Sequence, residues 1–375
     1  MYRALKTIFA GCTLSLLIIS FDLKADSKPS PANISKNNHF VYSANQAAHN
    51  VSAFKISRIN GELTEVTGSP FKTGDYPVSV VTSPDGKYLY IANQGSDSIS
   101  VFQVNASNGT LNEVVGSPFS AGKYPDAVIA HPNGKFIYTT NENANTIRTF
   151  SVNQETGELI PSKSLVETGE HPISINISHN GKFAYVSNFY GHSVSVYRVN
   201  PKTGEFTRSA DNAKTDERPI YTTISPNNRY LYTSNYGSTT VSAFSIDASS
   251  GALTELKGSP YPAGSQPYSV TTDQEGKFLY SANWGSHDVS VYKISGSTGQ
   301  LSEIKGSPFS AGWYPYAVVI DNDNPYVYVA NNGEGSISAY LANKETGALQ
   351  NIAGSPFATE NGPYSLIINS FALGD

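Results

Sequence analysis

Four polar residues stand where the repeats of this 375-residue chain differ from one another: Asp126, Glu142, His171 and Arg218. An imidazole can take a proton from water near neutral pH, and a carboxylate such as Glu142 or Asp126 can orient it or accept the proton itself. A guanidinium such as Arg218 can hold a carboxylate or phosphate, or stabilise an oxyanion. Together these groups suit the hydrolysis of an ester or lactone. Glu142, His171 and Asp126 are then the catalytic candidates and Arg218 a substrate ligand. The competing reading is a salt-bridged rim in two divergent repeats, because charge clusters are only probabilistic signs of a site.

Aromatic residues are expected on the same face, among them Tyr221, Tyr314, Trp284 and Trp313, the last two being the only tryptophans. With Gln266 they are candidate substrate-binding residues. Rigid rings with polar tips suit sugars, aromatic lactones or a protein partner. Tyrosines beside prolines are read more simply as packing. Other chemistries have less support. Neither a Gly-x-Ser-x-Gly elbow nor a Gly-rich phosphate loop occurs. His49, His192 and His287 occupy equivalent turns of three separate repeats and cannot share one metal. His131 and His179 fall in turns on the opposite face. No cofactor and no metal are expected.

The elements that must position these residues follow from a repeat. Tyr-x-x-Asn recurs seven times, and its asparagines (45, 93, 141, 188, 235, 283 and 331) stand 48, 48, 47, 47, 48 and 48 residues apart. Each period reads as β-rich run, Pro-Asp-Gly-type turn, β-run, turn, alternating β-run, Thr-Gly or Asn-Gly turn and short β-run, with no helical periodicity. Seven units of four antiparallel strands predict an all-β, seven-bladed propeller. The first unit opens on its second strand, and the final run from Pro363 to Ile368 matches the missing innermost one. The C-terminal strand is therefore expected to complete the first blade and close the ring.

Features present in most copies are read as scaffold: the recurrent Asn bonding its own turn, the Tyr packing between blades, and the Gly-Ser-Pro-aromatic loop anchoring on its ring. Function is sought where copies differ. That loop is missing from the third and fourth units, replaced by residues 161–169 and 207–217. Before the first-strand proline stand Tyr76, Tyr124, His171, Arg218, Gln266, Tyr314 and Gly362. After the recurrent Asn stand Gln46, Gln94, Glu142, Phe189, Tyr236, Trp284 and Asn332. An acidic third blade, a histidine-bearing fourth and an arginine-bearing fifth thus adjoin one another.

The first residues read as an export signal: Arg3 and Lys6, an apolar run from Ile8 to Phe21, and Leu23-Lys24-Ala25 before Asp26. The run is too short and too early for a comfortable membrane span. Residues 1–25 are thus a signal peptide, 26–38 a flexible polar tether and 39–375 the propeller domain. Cleavage would remove Cys12 and Met1, the only cysteine and methionine, leaving no disulfide and no thiol chemistry. Loss of Arg3, Lys6, Lys24 and Asp22 would leave 22 basic and 29 acidic residues, a net of −7. Scattered charge without a basic patch argues against nucleic acid. The expected mature protein is a monomer, periplasmic or secreted, with no integral membrane segment. Its partner is a small lactone or carbohydrate-like ligand, or a protein.

With repeats of the form Tyr-Pro-x-x-Val-x-x-x-Pro-Asp-Gly-Lys-Tyr-Leu-Tyr-x-x-Asn in view, the chain resembles the lactonase family of seven-bladed propellers, with 6-phosphogluconolactonase-like and carboxymuconate-cyclase-like members, over about residues 39–370. The resemblance implies a lactone hydrolase. The third unit keeps His131-Pro132-Asn133-Gly134-Lys135 and Asn141-Glu142 of the family signature, so Glu142 carries over as an acid/base candidate. It departs where the family has Arg-His, showing Asp126-Ala127, and has Asn143 in place of Leu. The family's arginine and histidine therefore do not carry over. An exported member would meet an unphosphorylated lactone or a small carbohydrate-like ester, or serve as a non-enzymatic scaffold that binds a protein or glycan through its aromatic face.

Overall fold

A computed structural model describes residues 37–371 as seven antiparallel sheets in sequence order around a ring. The expected signal peptide and nearly all of the tether lie outside the described residues. Asn38 already opens a strand, and Asn37 Nδ2 donates to Asp323 Oδ2 at 2.9 Å, so the first strand begins one residue before His39.

Six blades run from innermost to outer strand in chain order, as in Pro77–Thr82, Tyr88–Asn93, Ser98–Val104 and Leu111–Glu113. Blade 1 takes its innermost strand from the other end of the chain. Pro363–Phe371 pairs antiparallel with Asn38–Asn45, from Asn38 opposite Phe371 to Asn45 opposite Pro363. Ring closure is therefore a backbone ladder.

The apolar residues form seven clusters, each shared by two adjacent blades; one joins Phe40, Tyr42 and Val51 of blade 1 to Leu89, Ile91 and Phe102 of blade 2. A strand buried on both faces reads as a near-continuous apolar run, which is why Tyr88–Asn93 and its counterparts are buried throughout. The recurrent tyrosine locks neighbours together. The Tyr42 hydroxyl donates to the Gly109 carbonyl of the next blade at 3.0 Å, and Tyr185, Tyr232 and Tyr328 do the same to Gly251, Gly299 and Gly61. Gly109 lies at φ 78° with its would-be Cβ 2.3 Å from the Phe40 ring, so both its conformation and its clearance require glycine.

The recurrent asparagine bonds its own hairpin, as expected. Asn93 Nδ2 donates to Ser98 Oγ at 3.1 Å and to Ser100 Oγ at 2.9 Å. In five blades the outer position is divided between a three-residue and a two-residue strand, both paired to the third strand, with the Gly-Ser-Pro turn between them. The loop serine accepts the N–H of that third strand, as Ser117 Oγ does from Val101 at 3.0 Å. Blades 3 and 4 lack the loop, and there the outer strand is a single run of nine residues, Leu159–Glu167 and Phe206–Lys214.

Candidate functional site

The two variable positions lie on the face of the second-to-third-strand turns, the top face, and turn out to be hydrogen-bonded partners. In every blade the residue after the recurrent asparagine donates its N–H to the carbonyl of the residue before the first-strand proline. Glu142 binds Tyr124 at 3.0 Å, Phe189 binds His171 at 2.8 Å, Tyr236 binds Arg218 at 3.0 Å and Trp284 binds Gln266 at 2.9 Å. The pre-proline residues Tyr76, Tyr124, His171, Arg218, Gln266 and Tyr314 all have φ between 51° and 58°. Proline disfavours the right-handed helical region for its predecessor, and the left-handed region is costly for a side chain with a Cβ. A second bond helps hold it. The pre-proline N–H donates to a side chain from the preceding blade: His49 Nδ1 for Tyr76, Asp97 Oδ1 for Tyr124, Asn145 Oδ1 for His171, His192 Nδ1 for Arg218 and His287 Nδ1 for Tyr314, at 2.8–3.1 Å. The three equivalent histidines are therefore inter-blade clasps. The Tyr124 N–H, helped by Lys123, holds the Asp97 carboxyl below the usual range. Among the described residues no three His, Cys, Asp or Glu gather as for a metal ion.

Glu142 and His171 come together across the junction of blades 3 and 4. Glu142 begins a 3-10 turn, Glu142–Ala144, directly after the recurrent Asn141. Its Oε1 lies 2.8 Å from His171 Nδ1, while Asn145, which ends the same turn, holds the His171 N–H at 2.8 Å. One turn thus fixes both ring and backbone of His171. A carboxylate at Nδ1 favours the tautomer with the proton on that nitrogen and leaves Nε2 as acceptor. The two side chains are 29% and 17% exposed for His171 and Glu142, accessible yet partly desolvated.

Arg218 joins them through aromatic rings. The His171 ring meets Tyr190 edge-on at 4.4 Å, and the Arg218 guanidinium stands over Phe189 and Tyr190 at 5.8 and 6.0 Å. Imidazole and guanidinium flank the same tyrosine. From there ring contacts continue from Phe189 to Tyr236 and Trp284, and Trp284 stacks on Tyr314 at 4.6 Å and 24°. Gln266 adjoins this wall through its backbone bond to Trp284. Trp313 is 64% exposed, and no ring contact among the described residues joins it to the wall.

Asp126 occupies a different layer. It is only 8% exposed and accepts a 2.7 Å bond from Gln94 Nε2 of the neighbouring blade. A cavity of about 20 Å³, room for a single water, is lined by Asp126, Val78, Tyr221, Tyr268 and Tyr364. Desolvation, reinforced by Glu142 and opposed by the Gln94 bond, pushes the Asp126 carboxyl well above the usual carboxylate range. Tyr221, although 36% exposed, has its phenol pushed up to about 12, by desolvation and by Asp126. Tyr268, Tyr316 and Tyr364 contact one another with ring centroids 4.2–5.8 Å apart, and the Tyr268 and Tyr364 hydroxyls are hydrogen-bonded. These tyrosines, from the innermost strands of blades 6, 7 and 1, form an aromatic plug beside that cavity. Asp126 and Tyr221 therefore line the plug, apart from the Glu142–His171 pair.

Asn145 and Gln94 were not among the sequence candidates. Both were reachable by the repeat: Asn145 aligns with His49, Asp97, His192 and His287, and Gln94 with Glu142. What the alignment lacked was the partner each would meet.

The Lactonase family of seven-bladed β-propellers matches in overlapping segments from residue 15 to residue 362. This chain belongs to that family. A candidate 6-phosphogluconolactonase of Bacteroides fragilis superposes with a TM-score of 0.79 at 19% identity, over 90% of this chain and 99% of that one. The periplasmic gluconolactonase of Pseudomonas aeruginosa gives 0.74 at 17% identity, over 89% and 99%. Hydrazine synthase of Kuenenia stuttgartiensis gives 0.58 at 21% identity, over 77% and 88%. No curated protein matches the chain. At such identities the superpositions speak for the fold alone, and the fold carries unrelated chemistries.

Proposed function

We propose that this propeller hydrolyses a small lactone, such as a sugar lactone or related cyclic ester, on its top face. The observation that supports this most directly is the 2.8 Å Glu142–His171 contact beside Arg218. His171 Nε2 takes a proton from water as the oxygen attacks the lactone carbonyl, and Glu142 stabilises the resulting imidazolium through Nδ1. Collapse of the tetrahedral intermediate breaks the ring C–O bond. The departing alkoxide recovers the proton from His171, giving the hydroxy acid. Arg218 binds an anionic substituent or the oxyanion. The aromatic wall from Phe189 to Tyr314 offers apolar faces to the sugar ring. Gln266 and Trp313 extend that surface, while Asp126 acts from below through its Coulombic contact with Glu142. With the signal-like residues 1–25, this activity belongs to an exported, periplasmic or secreted, monomer.

A second reading is a non-enzymatic exported scaffold that recognises a protein or glycan. The exposure of Tyr76 at 50% and Trp313 at 64% favours it. Purified protein assayed on a panel of sugar lactones, beside Glu142→Gln, His171→Ala and Arg218→Ala, separates the two. Turnover lost with His171 supports the hydrolase. Turnover indifferent to all three changes removes this site, and no turnover on any lactone favours the scaffold.

A further inference from the structure

The other mouth of the channel, on the face of the Asp-Gly-type turns, holds a cavity of about 460 Å³. That volume lies within the range of small-molecule sites, whereas the space around Asp126 admits one water. The wall is made by lower portions of four successive innermost strands, from blades 5, 6, 7 and 1, including Thr223, Thr271, Ile320 and Ile367. Its hydroxyls come mainly from blades 5 and 6 and its aliphatic groups chiefly from blades 7 and 1. Its lining includes neither the Glu142–His171 pair nor the tyrosine cluster.

One lining residue exceeds what the scaffold requires. Where the first strand turns into the second, three blades use a serine whose hydroxyl accepts an N–H of the following strand. Ser83, Ser178 and Ser225 bind Tyr88, Phe183 and Tyr230 at 2.9–3.0 Å. Blade 6 has Asp273, whose Oδ1 alone takes over, accepting from Lys277 and Phe278 at 2.7 and 2.9 Å. The turn makes no use of Oδ2, so the aspartate brings a charge and an acceptor that serine lacks. Asp321 in blade 7 differs. Its Oδ1 takes Asp323 and Asn324 N–H groups, its Oδ2 takes Asn324 Nδ2, and His39 lies 3.1 Å away. Asp323 in turn faces His39 Nε2 at 3.2 Å. Three carboxylates and two imidazoles, His39 and His179, line the cavity, with no lysine or arginine. Nearby Lys277 is paired to Glu275 at 2.7 Å.

We propose that this lower mouth is a second ligand site, taking a small organic cation whose ammonium group binds Asp273 and whose body lies on the threonine and isoleucine wall. The volume of the open mouth makes the site, and the carboxylate excess sets the sign of its ligand. The assignment is independent of lactone hydrolysis on the top face.

Calorimetric titration of the full chain with glucosamine and putrescine, against their uncharged counterparts glucose and 1,4-butanediol, tests it. The expected result is saturable binding of at least one cation and of neither neutral compound. Asp273→Asn retains an oxygen for the Lys277 and Phe278 N–H groups, so it should melt cooperatively while weakening the cation about tenfold or more. Glu142→Gln should leave that binding unchanged. No binding of either cation at millimolar concentration would overturn the proposal. So would equal binding of the neutral compounds, equal affinity in a folded Asp273→Asn, or loss of binding in Glu142→Gln.

Discussion

Removing residues 361–375 should abolish cooperative folding, because it deletes the innermost strand of blade 1. That strand, Pro363–Phe371, supplies a ladder along Asn38–Asn45 and buries Leu366 to 4% exposure, with Ile367 and Ile368 partly covered. Eight paired positions correspond to about eight ladder hydrogen bonds, each contributing roughly 0.5–1.5 kcal/mol net. The three side chains add at most about 1.5–3 kcal/mol each. Together these come to roughly 8–20 kcal/mol, against a typical net stability of about 5–15 kcal/mol. Tyr364 of the plug would be lost as well. A graded control is Leu366→Ala, which should cost about 2–5 kcal/mol and still melt as one transition. The measurements are thermal and urea unfolding followed by circular dichroism, with the denaturant slope compared between variants. A truncated protein that melts in one transition near the parent temperature, with an undiminished slope, would refute closure by this ladder as the source of cooperativity.

Four further outcomes are expected. His171→Ala should lower kcat/KM on a responsive lactone by about 10²–10⁴-fold, with a smaller loss in Glu142→Gln, as steady-state kinetics would show. Arg218→Ala should raise KM for an anionic lactone by about 10–100-fold, and much less for a neutral one; equal effects on both would deny it that role. Asp126 binds more protons folded than unfolded, since its carboxyl is pushed upward by burial, so its contribution to stability falls as pH rises from about 4, its ordinary range, through its folded value. The melting temperature of Asp126→Asn should therefore gain on that of the parent with rising pH, and parallel curves would contradict the assignment. Asn93→Ala removes two buried bonds, to the Ser98 and Ser100 hydroxyls, which keep Ser96 and the Gly74 N–H as partners, and should cost about 1–3 kcal/mol by urea unfolding.

The sequence alone carried the architecture because a propeller is written seven times. Each Tyr-x-x-Asn copy reports the same local hydrogen bonds and the same inter-blade face, so an error in one period is outvoted by the others. Ring closure was legible for a like reason: Pro363 to Ile368 is a first strand with no blade of its own. The repeat also exposed Glu142, His171 and Arg218, since departures from a ruler are visible in one dimension. Which of them meet was decided only in three dimensions. Glu142 and His171 are 29 residues apart on different blades, and their contact depends on the 3-10 turn at Glu142 and the left-handed backbone at His171, joined through Asn145. Asp126 looks equally exposed to chemistry in the sequence, yet it is buried against Gln94 and beside the tyrosines of other blades. The direction of an unrepeated side chain depends on neighbours supplied by other blades, and no local pattern records them.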